Sequence, residues 1–212
     1  FGLYTADAGE ITLFGEPAVI PNPQKAIEKG IGMVHQHFML FEPMTVYENI
    51  IMGCEETRYG FLSKTESEAA IRSLTEDCGF TLDLNAKIES LPIGSKQKVE
   101  ILKALYRGAR ILVLDEPTAV LTPQETDELF VILNRLKQLG TSIILITHKM
   151  RETFAIADRI TVMRRGKTVH CDDACKTTPG KLAETMVGRR VNLESYEKSQ
   201  KISDDILVVK DL

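Results

Sequence analysis

The stretch "ILVLDEPTAVLT", Ile111–Thr122, sets an apolar run directly before two adjacent carboxylates, Asp115 and Glu116, and a proline. A short unbroken apolar run predicts a strand buried on both faces, as in a parallel sheet covered by helices. Thr122 then opens the next element. Pro123 follows it, Glu125 lies three residues past it and Gly140 closes the run, so Thr122–Gly140 predicts a capped helix. "TSIILITH", Thr141–His148, predicts a second buried strand. Strand, helix and strand in this order place the chain in the α/β class.

The same pattern continues on both sides. "GSKQKVEILKALYRGA", Gly94–Ala109, predicts a helix, and so does "SKTESEAAIRSLTEDC", Ser63–Cys78, stopped by Gly79. "TVYENIIMG", Thr45–Gly53, carries Thr45 and Glu48 as a capping box. "IGMVHQ", Ile31–Gln36, predicts a short strand after the punctuated helix Asn22–Gly30. "GEITLFG", Gly9–Gly15, predicts a strand between glycines. Beyond His148, "KMRETFAIAD" predicts a helix and "RITVMRRGKTVH", Arg159–His170, a hairpin around Arg165-Gly166. Polar residues 189–205 read as a linker, and "ILVVKDL", 206–212, as a new strand.

Bulk properties narrow the function. With 43% apolar residues, the 212-residue chain can bury a full domain core. A net charge of −4 gives no basic footprint for nucleic acid. The four cysteines are not arranged as a metal site and read as reduced intracellular thiols. No apolar run approaches bilayer length, so a membrane role would come through a partner.

In a parallel α/β sheet, ligands gather at the carboxyl ends of the strands. Asp115 and Glu116 stand at such an end. A Mg²⁺ ion needs only one or two carboxylates when phosphates complete its shell, which suits Asp115. A neighbouring carboxylate polarises a water that attacks a γ-phosphate, which suits Glu116. The competing reading of "DEP" alone is an acidic turn opening a loop. Its companions weigh against that. His148 ends the next strand, placed to donate to a γ-phosphate oxygen, and Gln36 ends a third, its amide suited to ligate the metal or orient water. Catalytic candidates are therefore Glu116 and His148; Asp115 and Gln36 are candidates for metal and nucleotide.

With these residues in place, the chain resembles the ATP-binding cassette (ABC) ATPases. "LPIGSKQKVEILKALYRGARILVLDEPTAVLTPQE", Leu91–Glu125, is similar to their signature helix, Walker B strand and following loop. The order of glutamine loop (Gln36), signature, Walker B and switch histidine (His148) is similar throughout. "VHQHFML", "TVYENI" and "DEPTAVLTPQE" look most like cassettes of simple-sugar and nucleoside importers, in which two cassettes share one polypeptide. The resemblance implies a P-loop NTPase-like fold with a mixed sheet core, an antiparallel β subdomain and a helical subdomain over about 46–90. It implies a cassette over 1–188, and in 206–212 the first strand of a second cassette. ATP and Mg²⁺ would be the cofactors. Transmembrane permease subunits and a second cassette, in the same polypeptide or a dimer, would be the partners, with no nucleic acid. The protein would be cytoplasmic, peripheral on the inner face of the membrane.

The chain also departs from that pattern. No G-x-x-x-x-G-K-[ST] phosphate loop occurs in it. In the family this loop precedes a segment like "FGLYTADAGEI", so the chain is expected to be a fragment, inactive alone, that starts in the helix after the loop. Its sheet would then lack the strand feeding the loop, exposing apolar faces of "ILVLD" and "SIILIT". The family signature L-S-G-G-Q is here Leu91, Pro92, Ile93, Gly94 and Ser95. Pro92 has no group to donate; Gly94 and Ser95, at a helix N-terminus, remain candidates to face an anion of the nucleotide. Thr122 stands where the family usually has Asp. "HFMLFEPM", His37–Met44, is an apolar patch that either packs within the helical subdomain or meets the membrane subunit. A repair or translation cassette would carry coiled-coil or basic insertions, which are absent here. A non-hydrolysing interaction module fits the missing loop but not Glu116 and His148.

Overall fold

The computed structural model describes residues 1–55, 57–58, 61–62 and 64–189. The terminal strand and all but the first residue of the linker read from the sequence lie outside the described residues. The chain divides into two compact units, with the boundary between Ala157 and Asp158.

The first unit opens with a miniature hairpin, β1 (Thr12–Leu13) against β2 (Glu16–Pro17). This corrects the single strand expected over Gly9–Gly15. Phe14 (φ 53°) and Gly15 (φ 88°) both adopt positive φ, the requirement of a type I′ turn, so the chain reverses where the apolar pattern suggested it continues. Arg110 lies 3.9 Å over the Phe14 ring and covers it. Then come α1 (Pro23–Glu28), capped by the Asn22 side chain on the Lys25 N–H, and β3 (Ile31–Val34). Helix α2 (Val46–Ile51) carries the expected Thr45–Glu48 capping box. Next are the short pair β4 (Thr57–Arg58) and β5 (Phe61–Leu62), then α3 (Lys64–Cys78) and α4 (Ile93–Tyr106). Strand β6 (Ile111–Asp115), α5 (Pro123–Gln138), β7 (Ser142–Ile146) and α6 (Met150–Ile156) complete the unit.

Strands β3, β6 and β7 form one parallel sheet with β6 in the middle. Val34, Leu112 and Leu114 are fully buried, and they belong to one core with Ile50, Ile71, Val99, Ile101, Leu102, Leu133 and Leu136. The 46–90 segment therefore shares the core of the sheet. Gly32 on β3 is a close approach: a Cβ there would lie 2.8 Å from the Ala109 Cβ and 2.9 Å from the Ala104 Cβ, so any larger residue overpacks this contact.

Strand β7 differs from the strand buried on both faces read from its apolar run, and shows instead the exposed apolar face expected of "SIILIT". "SIILI" alternates, with Ile143 and Leu145 against the core and Ile144 (52% exposed) and Ile146 (46% exposed) facing out. β7 ends the three-strand order, and no described strand pairs with its outer edge. An all-apolar run cannot distinguish this from a strand covered on both faces.

The second unit is a hairpin of β8 (Arg159–Arg164) and β9 (Lys167–Asp173), turned at Arg165 (φ 50°) and Gly166 (φ 73°) as the sequence predicts. Helix α7 (Pro179–Val187) follows. The sequence reading missed it, although Thr178 caps it, Pro179 opens it and Gly188 closes it in the left-handed conformation. Only Leu182 and Ala183 are buried on it, too short an apolar pattern to register as a helical stripe.

Thr122 accepts the Glu125 N–H and Glu125 returns a carboxylate oxygen to the Thr122 N–H. Thr122→Ala is expected to cost about 1 kcal/mol, as N-cap losses do; equilibrium urea unfolding checks this.

Candidate functional site

Parallel pairing sets the site. The register aligns Val34 with Leu114 and Leu114 with Leu145. Gln36 and Glu116 thus stand two residues beyond one level of the sheet, and His148 three. All lie at the carboxyl edge, with Asp115 opposite Ile146 at the last rung of β6. Strand β3 stops at Val34, so Gln36 is in the loop after the strand rather than on it, and is exposed.

Glu116 and His148 touch: His148 Nδ1 lies 2.9 Å from Glu116 Oε1. An ionised carboxylate only accepts, so the proton of this bond belongs to Nδ1, leaving Nε2 for another partner. Glu116 holds φ at 45°, a conformation rare for a side-chain-bearing residue, and it directly precedes Pro117, where extended backbone is the norm. Such strain persists only where neighbours over-determine it. Here the Glu116 N–H donates to the Ile146 carbonyl at 2.9 Å and its carbonyl accepts from Ala119 at 3.1 Å.

Asp115 and Gln36 make no side-chain hydrogen bond to other described residues, so their oxygens are uncommitted. No group of three His, Cys, Asp or Glu side chains among the described residues is arranged to hold a metal. Asp115 offers a carboxylate and Gln36 an amide oxygen, a donor set that suits a hard divalent cation whose remaining shell is phosphate and water.

Gly94 and Ser95 are not part of this edge cluster. The Gly94 N–H donates to Glu125 Oε1 at 3.1 Å, and a Cβ on Gly94 would lie 2.6 Å from that oxygen. The Ser95 N–H donates to the Pro92 carbonyl at 3.0 Å. The N-terminus of α4 thus already faces an anion, the chain's own Glu125, rather than the open position expected. Hydrogen bonds from the Thr122 N–H and hydroxyl, then from Gly94, hold the Glu125 carboxyl below its ordinary value.

Three residues the sequence reading missed hold the loop after Gln36. Glu100 on α4 accepts the Met39 N–H, and Lys103 donates to the Met39 carbonyl at 2.8 Å. Asn49 on α2, 1% exposed, accepts the Phe41 N–H at 2.7 Å and donates to its carbonyl at 3.1 Å. The clamped loop presents Met39 (59%) and Phe41 (55%) to solvent. These ties span up to 64 residues, beyond the reach of any local pattern.

Burial pushes the Glu100 carboxyl up, partly offset by Lys103 and the Met39 N–H. A carboxyl raised by folding binds its proton more tightly folded than unfolded. Its contribution is therefore most favourable below the ordinary carboxylate range and is lost as pH rises through the folded value. Glu100→Gln keeps an acceptor for Met39 without the charge, so its stability relative to wild type is expected to improve as pH rises from 4 to 8. Parallel urea midpoints across that range would contradict this.

Comparison with known proteins places the sequence and the fold. The ABC transporter family model matches residues 1–119. The nucleoside import ATP-binding protein NupA of Lactococcus lactis subsp. cremoris is 47% identical over 100% of the chain and 42% of its own length. The glucose import ATP-binding protein TsgD13 of Haloferax volcanii is 43% identical over 90% of the chain and 40% of its own. The chain thus spans about two-fifths of the length of these curated relatives. A nucleotide-free ATP-binding cassette from an ABC transporter superposes with a TM-score of 0.72 at 21% identity, covering 85% of this chain and 78% of that one; it shares the α/β cassette fold, with parallel sheet and antiparallel pairs. On a family match over 119 of 212 residues, joined to strand-end chemistry in the matching order, the chain belongs to the ABC transporter family.

Proposed function

We propose that this chain is part of the ATP-binding subunit of an importer for a simple sugar or nucleoside, and that its strand-end residues serve ATP hydrolysis. The observation that carries this is the Glu116–His148 contact at 2.9 Å, beside the uncommitted Asp115 and Gln36. One Glu116 carboxylate oxygen accepts the proton of the attacking water while the other holds His148 Nδ1–H, and His148, carrying a second proton on Nε2 when the nucleotide is bound, donates Nε2–H to a γ-phosphate oxygen. Asp115 and Gln36 would hold Mg²⁺, which supplies charge neutralisation of the phosphates. Gly94 and Ser95 would face the nucleotide of a second cassette once Glu125 releases the Gly94 N–H. The import of nucleosides and of glucose for which these relatives are named supports the substrate class.

The remaining parts of this reading follow the family. Residues 1–188 form the cassette, with 46–90 as its helical subdomain; 189–205 link it to a second cassette that opens at 206–212. Permease subunits are the membrane partners, met by exposed Met39 and Phe41. No described helix is long and apolar enough to cross a membrane, in keeping with a peripheral place on the cytoplasmic face.

Phosphate release from MgATP tests the reading. The 212 residues alone are expected to show none, since their sequence holds no phosphate loop to cradle the nucleotide. A polypeptide joining this chain to such a loop is expected to turn over. Release by the 212 residues alone, abolished by Glu116→Gln, would show that nucleotide is held another way.

A further inference from the structure

Behind the Glu116–His148 contact lies a buried carboxylate that the reaction does not use. Glu152 on α6 is 4% exposed. Its Oε1 accepts from the Thr118 hydroxyl at 2.5 Å and faces Lys149 Nζ at 3.1 Å; its Oε2 accepts from the Thr147 hydroxyl at 3.0 Å. Lys149 Nζ also donates to the Thr118 carbonyl and hydroxyl, both at 3.0 Å. Three ammonium protons, two hydroxyl protons and both carboxylate oxygens are thus all engaged around the buried Glu152, with the Lys149 side chain 40% exposed at the rim, and a fully satisfied network favours one arrangement.

The members of this network flank the two reactive side chains. Thr118 lies two residues after Glu116, in the loop leaving β6. Thr147 and Lys149 stand on either side of His148, and the Lys149 N–H donates to the Thr147 hydroxyl oxygen at 3.0 Å. His148 is therefore the tip of a side-chain-closed turn whose closing hydroxyl is anchored on Glu152. The sheet fixes the Glu116 backbone through Ile146, but His148 is past the last β7 rung and exposed, and its placement needs another constraint.

We propose that Glu152 is a positioning residue: through Thr118, Thr147 and Lys149 it locks the loop after β6 to the loop after β7 and so holds Glu116 and His148 in contact. The effect on turnover rests on the hydrolytic reading above; the positioning itself is read on the imidazole.

The test is ¹⁵N NMR of the histidine rings in the 212-residue chain, with His148→Ala assigning His148 among the four histidines. Wild type is expected to show the neutral ring protonated on Nδ1. Glu116→Ala, Glu152→Gln and Thr147→Val are each expected to lose that signature and give the tautomer mixture of a free imidazole. Should Glu152→Gln fail to fold, Thr147→Val and Thr118→Val decide by the same criterion. Retention of the Nδ1–H signature in folded Glu152→Gln or Thr147→Val would overturn the proposal, as would its absence from wild type. In a polypeptide that turns over ATP, Glu152→Gln should lower kcat tenfold or more with KM unchanged and add little in a His148→Ala background; additive losses would mark it as merely structural. If Glu116→Gln left turnover intact while Glu152→Gln still released the ring, the hydrolytic reading would fall and the positioning would stand.

Discussion

Glu116→Gln, in a polypeptide that carries this chain together with a phosphate loop, is expected to lower ATP turnover by about 10²- to 10⁴-fold, the range for loss of a general base. The amide keeps the shape of the carboxylate and still accepts one hydrogen bond from His148 Nδ1, so the edge of the sheet should not rearrange. It cannot take up the proton of the attacking water. Asp115 and Gln36, the residues proposed for metal and nucleotide, are untouched, so the dissociation constant for MgATP should stay within a few-fold of wild type. Pre-steady-state phosphate release beside equilibrium nucleotide binding separates the two quantities. A rate that falls only in parallel with affinity would assign Glu116 to binding rather than to proton transfer.

The second large effect is on stability. Leu114→Ala is expected to cost about 3 kcal/mol, within the span for large-to-small core changes. Leu114 is fully buried on the middle strand and cannot be replaced by collapse of one neighbour, since β3 and β7 pin it on both sides. A loss of that size is a large part of the roughly 5–15 kcal/mol that holds a domain together. Val131 on α5, 70% exposed, provides the comparison: Val131→Ala should change stability by less than about 0.5 kcal/mol. Urea unfolding with an unchanged m-value and a lowered midpoint is the expected result. Equal effects of the two substitutions would mean that β6 is not the centre of the core. Leu114 immediately precedes Asp115 and Glu116, so its loss is also expected to loosen the site.

Much of this arrangement was legible because its causes are local. The capping boxes of Thr45 and Thr122, the reversal at Arg165-Gly166 and the apolar run Ile111–Leu114 each depend on residues within a few positions of one another. The convergence of Asp115, Glu116, Gln36 and His148 was legible for a different reason: parallel strands put all their carboxyl ends on one edge, whatever the loops do between. What stayed hidden depends on partners far along the chain. The engagement of Gly94 by Glu125 spans 31 residues, and that of Thr118 by Glu152 spans 34. At Phe14-Gly15 the error was local: two residues at positive φ turned a predicted strand into a hairpin.

The central claim is that the carboxyl edge of β3, β6 and β7 receives the terminal phosphate and its metal. Paramagnetic broadening by Mn²⁺ bound with a non-hydrolysable ATP analogue tests it most directly, in a polypeptide that joins this chain to a phosphate loop. Resonances of Asp115 and Gln36 are expected to broaden first, with Glu116 and His148 close behind and the amino-end rung of the same sheet, Ile31, Ile111 and Ser142, least affected. Broadening centred away from that edge at saturating nucleotide would contradict the account.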